Sequence, residues 1–247
     1  MQTYPVLGIP VHLLEAEHLG YADFLQQRCS ARQGAQVITL NAEMVMQARN
    51  LPALKQIITG AECVVPDGAG VVLYLRAHGH RVQRCPGIEL AEKLLYWSIA
   101  AQKTIFLIGA QPEVIDRVAH IWLARSARVI GWHHGYFLND PVREHELLGQ
   151  LEQLQPDLIM VGMGVPRQEL WINTHRHLCS QSVWIGVGGS FDVWSGQKRR
   201  APQWMQNAHL EWLFRLYQEP WRWRRMLVLP QFVWVSFWHS LGGIFHE

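Results

Sequence analysis

The chain has 247 residues, 49% of them hydrophobic and 17% charged, with a formal net charge of +2. That apolar content excludes disorder as the overall state, and the length allows a sizeable core without disulfides or a structural metal. The charge is uneven: residues 1–196 carry 15 Lys and Arg against 17 Asp and Glu, net −2, whereas residues 197–247 carry 7 against 3, net +4, with six of the twelve tryptophans. We therefore expect a body over 1–196 and a basic, aromatic appendage over 197–247.

The first residues lack a basic segment followed by a long apolar run, and Glu15 and Glu17 come early, so no signal peptide is expected. Cys29, Cys63, Cys85 and Cys179 are scattered without a C-x-x-C pair, which suits buried thiols in a reducing compartment. Residues 36–40 read as a buried strand followed by a helix over 42–49, and residues 63–65 as a second strand closed by Pro66, Asp67 and Gly68. Helical periodicity covers 88–101. A strand over 104–108 ends at Gly109, and Pro112 suits the first turn of a helix reaching residue 124. Further strands are expected at 127–130, 158–162 and 183–187, with helices at 142–154 and from Arg167. Continuous apolar strands alternating with amphipathic helices predict an α/β fold, a parallel sheet covered on both faces.

In such sheets ligands bind beyond the carboxyl ends of the strands. Thr39 and Asn41 follow the first strand there, and Asn41 equally suits the N-cap of the next helix. Asp67 reads either as a turn residue or as a carboxylate able to take a proton from a substrate hydroxyl. Pro166 and Gln168 fall in a first helical turn whose free amides, with Arg167, favour an anionic or polar ligand. Gly188 and Gly189 follow the last strand, where adjacent glycines either let backbone approach a ligand or make a tight turn.

Missing motifs narrow the chemistry. There is no G-x-G-x-x-G with its spaced acid, no P-loop, no G-x-S-x-G elbow, no D-x-D and no H-E-x-x-H. The thirteen histidines fall at spacings that make no ligand set, so metal catalysis is not expected.

In the tail, Lys198, Arg199 and Arg200 read as a solvated turn. Residues 209–217 form an amphipathic helix ended by Glu219 and Pro220. Were helix to resume without a kink, Arg215, Arg222 and Arg225 would share a sector of roughly 80° and could bind a pyrophosphate without metal. Seven cations beside an acidic body give only weak support to nucleic-acid binding, which is not expected. Residues 226–245 carry no Asp, Glu, Lys or Arg, the length of a membrane span, yet Pro230, Gln231, His239, Gly242 and Gly243 interrupt them. The preceding WRWRRML (221–227) suits a headgroup layer, so interfacial attachment is the expectation, with a packed helix and a true span as the alternatives.

Seven stretches carry a resemblance: TLNAE (39–43), PDGAGVV (66–72), RCPGIEL (84–90), FLIGAQPEV (106–114), PDLIMVGMGVPRQELWI (156–172), GVGGSFDVWSGQKRRAPQWM (186–205) and HLEWLFRLYQEPWRWRR (209–225). In this order the chain resembles the WecG/TagA/CpsF family of bacterial glycosyltransferases, which extend undecaprenyl-diphosphate-linked sugars. The resemblance implies a Rossmann-like fold with a helical C-terminal membrane-associating appendage. It implies an inverting transfer from a UDP-sugar, without metal or other cofactor, in surface or exopolysaccharide synthesis on the cytoplasmic face of the inner membrane. By the same resemblance Asp67 matches the general base, and Thr39, Asn41, Arg84 and Gln168 match the pocket lining. Arg215, Arg222 and Arg225 match arginines thought to close over the leaving diphosphate.

Two departures bear on the donor: Glu89 stands where the family usually has Asp, and Cys85 and Pro86 precede Gly87 where smaller or β-branched residues are common. N-acetylmannosamine, its uronic acid, glucose and glucuronic acid all stay open as the sugar. A homo-oligomer is among the expected states. The alternative reading is a non-catalytic, membrane-docked subunit of a polysaccharide assembly complex.

Overall fold

The computed structural model describes residues 1–14, 20–138 and 140–242, apart from the side chains of Arg222 and residues 240–242. Two strands open the chain, β1 (Gln2–Val6) and β2 (Ile9–Leu13), paired antiparallel about a turn at Leu7 and Gly8 with positive φ at both. The sequence reading assigns no element here, although Val6, Ile9 and Val11 are all buried, as the inward face of a hairpin requires.

The body continues with α1 (Tyr21–Ser30), β3 (Ala35–Leu40), α2 (Ala42–Asn50), α3 (Pro52–Gly60), β4 (Cys63–Pro66), α4 (Ala69–Ala77) and α5 (Gly87–Ala100). Then follow β5 (Thr104–Gly109), α6 (Pro112–Ala124), β6 (Arg128–His133), α7 (Pro141–Leu154), β7 (Leu158–Gly162), α8 (Arg167–His175) and β8 (Val183–Gly186). Among the described residues, six strands make one sheet in the order β4-β3-β8-β7-β5-β6, every neighbouring pair parallel. The predicted Rossmann-like α/β fold is therefore observed. Every residue of β3, β7 and β8 is buried, which is why these strands read as unbroken apolar runs. α1, α5 and α6 cover one face of the sheet; α2, α3, α4, α7 and α8 cover the other.

Before β8, three helices escape the sequence reading: α1, α3 and α4. Polar residues dominate α1, and α4 begins directly after the Gly68 at which the sequence reading closes the preceding strand. β6 runs on to His133, past its expected end at residue 130, because Trp132 and His133 still pair with Leu107 and Ile108 of β5.

After β8 come α9 (Ser190–Trp194), α10 (Gln203–Asn207) and α11 (Glu211–Gln218), then a 3-10 turn over Pro220–Arg222, α12 (Trp223–Met226) and α13 (Val228–Gly242). Helix does not resume smoothly after Pro220, so the single arginine face expected from continuous helix geometry does not form. The side chain of Arg222 lies outside the described residues, as do residues 243–245 of the uncharged stretch. No helix among the described residues is long and apolar enough to cross a membrane.

α13 packs on α2 and α4. Its Phe232 is buried in their core, with its ring near Tyr74 and over Gly70. Trp234, Phe237 and Trp238 on the same helix remain exposed. We expect Phe232→Ala to cost roughly 3–5 kcal/mol, the usual range for emptying a packed aromatic site. Urea unfolding would measure the loss, and amide exchange over residues 228–238 should quicken. A variant with unchanged stability and exchange would show that α13 does not dock this way.

Candidate active site

The carboxyl ends of β3, β4, β8 and β7 converge, and the predicted residues lie in the loops that leave them. β4 ends at Pro66, and the amides of Asp67 and Gly68 both donate to the Leu40 carbonyl, which seats Asp67 beside the end of β3. Asn41 caps α2, its Oδ1 accepting from the Met44 amide at 3.0 Å. The Cys85 amide donates to the Pro66 carbonyl at 2.8 Å and draws the loop before α5 over Asp67. Gly87 then backs onto Thr39 so closely that a Cβ there would come within 2.9 Å of Thr39 Cγ2. Thr39, Asn41, Asp67 and Arg84 are thus gathered at one edge of the sheet, as the sequence predicts.

Asp67 occupies a largely desolvated position. Burial pushes its carboxyl up to about 6, against the pull of Arg84 and Arg215; Glu211 pushes the same way as burial, and the Gly87 amide opposes it. The Cys85 thiol beside it is pushed up to about 12 by burial and by Asp67 itself, and stays a neutral wall. Asp67 is therefore an acid with an apparent pKa suited to accepting a proton near neutrality.

An ion cluster adjoins it. Glu211 Oε2 accepts from Arg84 Nη2 at 2.5 Å, and Glu211 Oε1 lies 3.6 Å from both Arg200 Nε and Arg215 Nη2. Arg200 also donates to Glu89 at 2.5 Å. Two buried donors, the Nε–H of Arg84 and of Arg200, meet no hydrogen-bond acceptor among the described residues. Arg225 pairs with Glu43 at 2.7 Å, two residues beyond Asn41, which puts it on the same rim without sharing a helical face with Arg215. Arg84, Cys85 and Glu89 also border an open cleft of about 1410 Å³ between the 79–86 loop and α5.

The second half of the site hangs on Gln168. It is 2% exposed, and its Oε1 accepts from both the Gly164 and Gly188 amides at 3.1 Å. Its Nε2 donates to Glu169 Oε1 at 2.8 Å. One side chain thereby joins the loops that follow β7 and β8. Glu169 is itself buried, which pushes its carboxyl up to about 7 against the Gln168 hydrogen bond. The Gln168 backbone amide, expected to be free for a ligand, donates to the Gly164 carbonyl. Gly188 has φ +51, and neither it nor Gly189 has backbone or side chain crowding its open side, so both leave room for a ligand to approach.

With this geometry in hand, comparison with known proteins is decisive. Residues 4–244 match the profile of the glycosyl transferase WecG/TagA/CpsF family. The chain belongs to this family. It is a glycosyltransferase. The N-acetylglucosaminyldiphosphoundecaprenol N-acetyl-beta-D-mannosaminyltransferase of Bacillus subtilis (strain 168) is 34% identical over 237 residues, covering 94% of this chain and 90% of that protein. The protein of the same name from Staphylococcus aureus (strain MW2) is 33% identical over 204 residues, covering 80% of this chain and 78% of that protein.

For a WecG/TagA/CpsF glycosyltransferase the sequence reading is incomplete in one respect: it passes over the acidic partners. Lys198 and Arg200, read as a solvated turn, are ion-paired, Lys198 with Asp192 and Glu219 and Arg200 with Glu89 and Glu211. Glu211 gave no local signal in the sequence, because its partners Arg84 and Arg200 lie in other segments and its burial is set by the tertiary structure. Among the described residues no three His, Cys, Asp or Glu side chains converge where they could hold a metal ion.

Gly186 tests the Gln168 joint. A Cβ there would fall 2.5 Å from Gln168 Nε2 and 3.1 Å from Glu169 Oε1, both side chains held at their ends. We expect Gly186→Ala to lose about 1–3 kcal/mol by overpacking. Amide exchange at Gly164 and Gly188 should accelerate with it. Wild-type stability and exchange would mean that the joint yields freely and does not fix the loops.

Proposed function

We propose that this glycosyltransferase moves N-acetylmannosamine from UDP to an N-acetylglucosaminyl-diphosphoundecaprenol acceptor, with inversion and without a metal. The names of the two relatives above support the transferred sugar and the acceptor. The observation that carries the mechanism is Asp67, a carboxyl raised to about 6 at the strand ends with Arg84 and Arg215 facing it.

In the reaction, Asp67 takes the proton of the acceptor hydroxyl as its oxygen attacks the anomeric carbon from the face opposite UDP. The glycosidic bond to the donor diphosphate breaks with its electron pair, and negative charge grows on the leaving oxygen. Arginines match phosphate oxygens bidentately, and we assign leaving-group stabilisation to Arg215, Arg222 and Arg225. The sequence has no D-x-D pair to carry that charge through a cation. Thr39, Asn41, Arg84, Gly188 and Gly189 line the substrate pocket in this reading, and Gln168 shapes it from beneath. The ion cluster sets three cations, Arg84, Arg200 and Arg215, against two carboxylates, Glu211 and Glu89.

Residues 197–247 act as the appendage that closes the site and meets the membrane from the cytoplasmic side. Trp204, Trp221, Trp223, Trp234 and Trp238 are all more than half exposed, and such indoles beside arginines favour a headgroup layer.

Asp67→Asn should reduce transfer by about 10²–10⁴-fold with UDP-N-acetylmannosamine and a short-chain lipid-diphosphate acceptor. In the wild-type enzyme the rate should fall below about pH 6, where Asp67 is protonated and can no longer accept a proton. Near-normal turnover by a folded Asp67→Asn protein would remove Asp67 from the base role. For the membrane, the full chain should sediment with anionic phospholipid vesicles in a salt-sensitive manner. Replacing Trp221, Trp223, Trp234 and Trp238 by Ser should cut binding roughly tenfold or more. Equal binding by that variant would place the contact elsewhere.

A further inference from the structure

α11 turns a carboxylate inward: Glu211 is its buried residue, Phe214 and Leu216 are half-buried, and Trp212 is 39%, Leu213 41% and Tyr217 82% exposed. An amphipathic helix normally docks through its apolar stripe, and a carboxylate is driven from a protein interior unless cations surround it. Here they do, and they come from three parts of the chain. Arg84 arrives from the loop that covers Asp67, Arg200 from the segment between α9 and α10, and Arg215 from one turn further along α11 itself. Those guanidiniums hold Glu211 below the usual carboxylate range even though burial alone would raise it. Arg200 extends the chain of contacts to Glu89 on α5, so α11 is fastened to the body by charge.

We propose that Glu211 is the positioning residue of the active site: its carboxylate latches the C-terminal segment onto the cleft and holds Arg84 and Arg215 in one arrangement facing Asp67. This inference rests on the transferase reading for its consequence, though the latch itself is a matter of structure. The groups that face Asp67 are Arg84 and the Cys85 thiol from the loop before α5, the Gly87 amide from α5, and Glu211 and Arg215 from α11. Glu211 is the anionic member of that set. Neutralising it removes its own push on Asp67 and, with the latch released, the larger pull of Arg84 and Arg215, so Asp67 should ionise at higher pH.

The test uses the full chain carrying Glu211→Gln, which keeps the shape and removes the charge. Amide exchange over residues 211–218 and 79–87 should accelerate at least tenfold, while exchange within β3, β7 and β8 stays at wild-type rates and shows that the fold is intact. kcat/KM for the UDP-sugar should fall at least tenfold, and the acidic limb of its pH profile should move to higher pH. A second variant, Arg200→Gln, loosens the same latch from a residue that is not among those facing Asp67. It should quicken exchange over 211–218 and leave the acidic limb where it is. Unchanged exchange in both variants would overturn the latch. So would faster transfer by Glu211→Gln, which would make the carboxylate a competitor for the substrate's anionic group. If exchange responds as expected but the wild-type protein transfers no sugar from any UDP-sugar, the latch stands and the transferase assignment fails.

Discussion

The ion contact between Glu211 and Arg84 joins the tail to the body beside the buried carboxyl of Asp67. In water such a pair contributes little, because solvent screens both charges. Here both side chains are largely buried, and removing either partner would strand the other in a poorly solvated place. The cost of stranding is what makes the arrangement specific. α11 cannot slide or rotate without exposing the cluster to a mismatch.

Charge at this edge of the sheet is nearly balanced, and the balance matters for chemistry. Asp67 is raised by burial and by Glu211, and lowered by Arg84 and Arg215, so its proton affinity is set by groups from two distant segments. A carboxyl raised to about 6 is ionised at neutral pH, and in the proposed reaction it would bind the proton of the acceptor hydroxyl as the new bond forms. Gln168 plays the complementary part without charge. By accepting from Gly164 and Gly188 at once it ties the β7 and β8 loops to each other, and the buried Glu169 orients its amide. One half of the cleft is held by ions and the other by an amide bracket.

The tail has two faces. Phe232 inserts between α2 and α4, and Arg225 pairs with Glu43 at the start of α2, so the inner face belongs to the body. Its outer face carries exposed tryptophans and basic residues. A helix with this division has one side packed as protein and the other suited to an interface between water and lipid.

Much of the fold was legible in the residues themselves. Buried parallel strands must be apolar throughout, so β3, β5, β7 and β8 stood out, and Pro112 and Asn41 marked helix starts by their own backbone chemistry. Thr39, Asp67 and Gln168 could be placed beyond strand ends from the sequence because a parallel sheet puts its loops there, whereas Arg84 was pointed to only by the family resemblance. Other features depended on partners remote in sequence. Arg84 and Glu211 are 127 residues apart, and nothing local in either segment announces the other. The same holds for Arg225 and Glu43, which meet only because the chain breaks at Pro220 and folds back along α2. Local sequence could say that the tail was basic and aromatic. Which of its charges face the cleft, and which carboxylate turns inward to meet them, was decided by tertiary packing, because burying a charge is tolerable only where the rest of the chain has already brought its counterions.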